Sequence, residues 1–117
     1  MEEVTNLTKK KTPDIFHKEI KDKILGEKYD LSVVLSENEM MKDLNEKYRK
    51  KNKNANTLSF PLSKTKGEIF LNINCPKKEL KFLFIHSLLH LKGLKHGEKM
   101  AKQEKKYYNN SYNEVLK

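Results

Sequence analysis

Four stretches of the chain carry apolar residues at helical spacing, and three carry short apolar runs of strand type. The first helical stretch opens on Thr12-Pro13-Asp14, which reads as an N-cap, a proline at the first helical position and an acid in the first turn. Ile15, Phe16, Ile20 and Ile24 follow, and Gly26 supplies a stop. The second begins at Ser36, where Glu39 three residues on completes a capping box, and carries a stripe of Met40, Met41, Leu44 and Tyr48. It ends on Lys47, Arg49, Lys50 and Lys51, cations placed at the negative end of the helix dipole. The third covers residues 77–92, a length of ~24 Å as a helix. Apolar residues in its second half run almost all the way round, which predicts a buried central helix closed by Gly93. The fourth starts at Glu98 and carries Met100, Tyr107, Tyr108, Tyr112, Val115 and Leu116, aromatic residues expected to pack on the core.

The strand-type runs are Leu31–Leu35, then Thr57–Phe60 ended by Pro61, then Glu68–Ile73 opened by Gly67. Asn52–Asn56 reads as a loop, and Val4 and Leu7 fit either a short edge strand or a loose segment. With no internal repeat and no Gly/Ser-rich linker, residues 1–117 are expected to form one domain.

Charge narrows the partners. The 117 residues hold 25 Lys plus Arg against 16 Asp plus Glu, a formal charge of +9, which attracts polyanions such as nucleic acid. A lysine-biased composition gives the same excess with no partner, because a charge run is often just a solvated face. No apolar run of ~18 residues spans a membrane, and the N-terminus lacks the apolar stretch of a secretory signal. Cys75, the single cysteine, has no disulfide partner in the chain. These features point to a reducing cytoplasm.

Chemistry concentrates at the end of the third helical stretch. His86 and His90, at i and i+4, place two imidazoles on one face, and the Gly93 turn lets His96 return to the same point. Three neutral imidazoles fill three corners of a tetrahedron and leave the fourth for water or substrate, the mark of a catalytic zinc rather than a structural one. Two imidazoles beside Leu and Phe are costly to bury unless paired or metallated. His17 stands alone on the first helix and reads as a surface residue. The same His spacing occurs in zinc proteases of the metzincin type, which place a Glu general base directly after the first His. Here that position is Ser87, too weak a base, so peptide hydrolysis by that route is disfavoured.

The block His86-x3-His90-Leu91-x-Gly93-x2-His96 resembles the YbeY family of ribosomal-RNA-maturing endoribonucleases. Two upstream signatures strengthen the resemblance. One is Leu44-Asn45-x2-Tyr48-Arg49 followed by Asn56-Thr57-Leu58-Ser59-Phe60-Pro61, although in the family the Thr usually stands before the Asn or Asp. The other is Gly67-Glu68-Ile69, where the family usually has Gly-Asp-Ile. Two further departures are Ser87 in place of Gly after the first His, and Lys95 in place of Asp before the third. The resemblance covers roughly Leu31 to His96 and extends loosely through Met100.

The resemblance implies an α+β fold, with a mixed sheet of about four strands packed against helices and the three-His site in a cleft on the buried central helix. It implies one Zn2+ on His86, His90 and His96 and hydrolysis of single-stranded RNA. It further implies maturation of the small-subunit ribosomal RNA 3′ end and ribosome quality control, with ribosomal RNA and the small ribosomal subunit as partners. The family's essential arginine maps onto Arg49, the only arginine among 24 lysines, and the resemblance places Arg49 and Ser59 against substrate. A planar guanidinium holds a phosphate at two points, which an ammonium cannot; without the motif, a helix-end charge would explain Arg49 equally well. The alternatives are a non-catalytic RNA-binding assembly factor with a structural metal, or another metallohydrolase.

Overall fold

The computed structural model describes residues 2–49 and 56–112, and within them the side chains of residues 2–48 and 56–109. Eight elements follow in chain order: β1 (Glu2–Asn6), α1 (Lys18–Leu25), β2 (Asp30–Ser36), α2 (Asn38–Arg49), β3 (Thr57–Ser63), β4 (Lys66–Asn72), α3 (Lys77–Lys92) and α4 (Glu98–Tyr112). The strands form one mixed sheet in the order β1-β2-β4-β3. β1 and β4 each pair parallel with β2, and β3 pairs antiparallel with β4. This is the expected α+β architecture. None of the described helices is long and apolar enough to cross a membrane.

Strand alternation divides the sheet into two faces. Leu31, Val33, Leu35, Ile69 and Leu71 join one core cluster with Ile20 and Ile24 of α1 and Leu80, Phe84, Ile85, Leu88 and Leu89 of α3. Each of these side chains contributes ~1.5–3 kcal/mol on burial, so this layer dominates the stability. Thr57 and Ser59 sit opposite Leu71 and Ile69 in the ladder and therefore face α3 as well. The other face carries Phe70 and Phe60, whose rings meet edge to face 5.7 Å apart, and Tyr48 of α2 packs on Phe60 at 5.3 Å.

Three element boundaries differ from the sequence pattern. Thr12-Pro13-Asp14 does not start a helix; α1 begins at Lys18 after His17. Ile15 is fully buried in between, and Phe16 packs edge to face on Phe84 at 5.1 Å. Burying two large apolar side chains outweighs an N-cap worth ~1 kcal/mol. Ser36 is not a helix cap. It ends β2, its carbonyl accepting from the Ile73 N–H, and α2 starts two residues later. β3 runs on through Pro61 to Ser63 with an irregular register, tolerated because an edge strand has a side on which no N–H is needed. The expected loop at Asn52–Asn56 falls, except for Asn56, outside the described residues, as do Val115 and Leu116.

Candidate metal centre

The C-terminal end of α3 builds the site. Gly93 adopts φ 110°, ψ 4°, a left-handed conformation that suits glycine. Its N–H bonds to the His90 carbonyl and the Leu94 N–H to the Leu89 carbonyl, closing the helix by a capping turn. That turn performs two tasks. It reverses the chain so that His96 meets His86 and His90, and it aims the Leu94 carbonyl at the His90 Nδ1, 3.1 Å away.

The three expected ligands converge. One nitrogen from each of His86, His90 and His96 lies within 4.8 Å of the others, and the ring centroids are 4.5, 4.6 and 5.1 Å apart. They sit beside an open cleft of about 510 Å³ walled by residues 57–61 of β3. His86 and His90 are half-buried and His96 is exposed.

Hydrogen bonding tests whether this trio suits a cation. The Leu94 carbonyl can only accept, so His90 donates from Nδ1 and presents a bare Nε2. The His86 Nδ1 faces the Glu104 carboxylate of α4 at 2.5 Å, which likewise holds a proton on Nδ1 and frees Nε2. The two Nε2 atoms approach to 3.1 Å. Burial lowers the His90 pKa below the usual histidine value, and the neighbouring His86 and His96 lower it further, so the neutral form prevails. Two lone pairs aimed at one point are relieved by a cation between them. Three imidazole nitrogens converging on one point are a donor set that zinc favours.

The remaining predicted residues divide. Ser59 lines the cleft. Arg49 is the last residue of α2, and its side chain lies outside the described residues. Its neighbour Tyr48 packs on Phe60, which itself lines the cleft. Ser87 is fully buried and its hydroxyl pairs with that of Thr57 at 2.5 Å, tying α3 to β3. It takes no place in the metal centre, and Lys95 is exposed. His17 is not a lone surface residue. It is half-buried as the residue before α1, with Nε2 3.8 Å from Asp14 Oδ1.

Sequence reasoning missed Glu104. The signal was present: Met100, Glu104 and Tyr108 recur every four residues, and a carboxylate within an apolar stripe calls for a partner.

Comparison with known proteins places this geometry in context. The chain matches the family model described as endoribonuclease YbeY over residues 2–117. It is similar to the endoribonuclease YbeY of Nautilia profundicola, 36% identical over 94 residues, covering 64% of this chain and 68% of that protein. Similarity to the protein of the same name from Rubrobacter xylanophilus is 39% over 79 residues, 64% of this chain and 58% of that one. For Pelagibacter ubique the identity is 35% over 112 residues, covering 75% and 73%. The solution structure of TM1509 from Thermotoga maritima shares the fold, with TM-score 0.64 and 24% identity over 97% of this chain and 91% of that one.

Proposed function

We infer the function from one premise: this chain belongs to the endoribonuclease YbeY family, and it cleaves RNA in the processing of ribosomal RNA. The observation that supports the chemistry is the convergence of three imidazole nitrogens beside an open cleft in a chain of charge +9.

The finer reading is a zinc-dependent hydrolase for single-stranded RNA in the cytoplasm, acting at the 3′ end of small-subunit ribosomal RNA and in ribosome quality control. His86, His90 and His96 would hold one Zn2+. When bound, such an ion supplies positive charge to a phosphate oxygen and acidifies water beside it. The chain's own residues do the rest. β3 lies along the cleft as an edge strand, and the Ser59 hydroxyl can donate to a phosphate oxygen there. Arg49 clamps the phosphate at two points and offsets the charge that develops on it. The lysines attract the RNA backbone without regard to sequence. No carboxylate is among the described residues lining the cleft, and Glu104 stands behind His86 rather than in it.

Metal analysis and cleavage of a single-stranded RNA by the purified chain and by His90→Ala test this reading. The expected result is about one zinc per chain and cleavage, both lost in the variant. Wild-type protein that carries metal and binds RNA without cutting it would instead make this an assembly factor with a structural metal.

A further inference from the structure

A second depression lies between α3 and α4. Phe82 lies one turn before His86 on α3, and Tyr108 lies one turn beyond Glu104 on α4, each displaced by ~6 Å along its helix. Phe82 is 41% exposed, which is unusual for so large an apolar side chain on a core helix. Its ring stacks on the His86 imidazole with centroids 6.0 Å apart and planes inclined by 27°. Phe82 and Tyr108 line a shallow depression of about 580 Å³ with Pro76, Lys78 and Glu79. The depression is open and apolar, and Phe82 on its wall touches the metal centre by its stack on His86.

Its chemistry selects the occupant. A flat aromatic face left open to solvent suits another flat ring, and every nucleobase offers one. Lys78 stands on the rim to meet a phosphate, and the whole chain carries +9. The one acid on the rim, Glu79, accepts a hydrogen bond from the Cys75 thiol, whose pKa burial and this carboxylate push up to about 11. One helical turn is also about the step from one nucleotide to the next in an extended strand. We propose that Phe82, with Tyr108 beside it, is a stacking platform for an unpaired RNA base on a nucleotide adjoining the phosphate held at the three histidines. The inference rests on the RNA-cleaving reading above and adds a subsite to it.

Single-stranded RNA oligonucleotides, each carrying one 2-aminopurine, provide the probe, mixed rapidly with the metal-loaded protein and read before cleavage. Wild-type protein should quench the fluorescence at one position. Phe82→Ala should lose that quench and weaken binding by about five- to 150-fold. The slope of log affinity against log salt should stay as in wild type, because no phosphate contact is removed. Phe82→Trp should keep both quench and affinity. RNA binding with no quenched position, Phe82→Ala affinity within twofold of wild type, or Phe82→Leu matching wild type in both readouts would each overturn the platform. All three leave cleavage by the wild-type enzyme standing, whereas an enzyme that cuts no RNA defeats the functional reading itself.

Discussion

The Glu104 carboxylate on α4 lies 2.5 Å from the Nδ1 of His86 on α3, so a second helix fixes the ring that the first one carries. Glu104 is only 8% exposed, and a carboxylate so placed is tolerated because the imidazole N–H answers it. The contact orients the His86 ring towards the other two histidines. Glu104→Gln keeps an acceptor without the charge, and Glu104→Ala removes both. Zinc affinity, read by competition with a chromophoric chelator, should fall ~10- to 100-fold in the alanine variant and by less in the glutamine variant. Unchanged affinity in both would make Glu104 a packing residue.

Acid should release the metal and destabilise the metal-free protein. Burial, then His86 and His96, hold the folded His90 pKa below the ordinary value of 6.5. As pH falls, the unfolded state therefore takes up its proton first. The His90 contribution to stability is fully present above ~6.5 and declines below it until pH passes the folded value. Protons compete with metal for the same nitrogens, so zinc content should drop over the acid side of neutrality. Thermal unfolding of chelator-treated protein between pH 8 and pH 5 checks the first statement. Zinc content unchanged down to pH ~4 would contradict ligation by histidine.

Arg49→Lys separates two roles. A phosphate clamp loses its two-point geometry in the lysine variant, at a cost of ~2.7–4 kcal/mol in the transition state, or about 100- to 1000-fold in turnover. Metal content and Tm should barely change. A residue that only neutralises the end of α2 is replaced by lysine within a few tenths of a kcal/mol. Turnover by Arg49→Lys equal to wild type at saturating RNA rejects the clamp.

Legibility in the sequence followed how local each determinant is. α3 was readable over its full span because dense apolar positions and a glycine stop both lie within the segment. The cluster of three histidines was readable because their spacing and the Gly93 turn are local too. The start of α1 was not, since the burial of Ile15 and Phe16 depends on Phe84, distant in sequence. Ser36 carried a correct capping signature but was claimed by the β2 ladder through Ile73. Gly67 could be noticed as a motif without its reason. A Cβ there would lie 2.3 Å from the Tyr29 hydroxyl and about 3 Å from Leu91, contacts that only the assembled fold creates. Glu104 and the Ser87–Thr57 pair belong to the same class, each joining elements far apart in sequence.

The Ser87–Thr57 pair gives the last prediction. Ser87 directly follows His86, and its side chain is wholly buried between α3 and β3. Thr57→Val preserves shape but strands that hydroxyl, which should cost ~1–3 kcal/mol in the unfolding free energy. Ser87→Ala strands Thr57 in the same way, less severely, because Thr57 is only half-buried. The double variant removes both polar groups, so its loss should be smaller than the sum of the two single losses. A denaturant-unfolding cycle on the four proteins measures the coupling, expected at ~0.5–3 kcal/mol. Because Thr57 opens the strand that walls the cleft, Thr57→Val should also raise the KM for RNA while zinc content stays at the wild-type level. Strictly additive losses with an unaltered KM would mean that the two hydroxyls neither couple nor position β3 against the histidines.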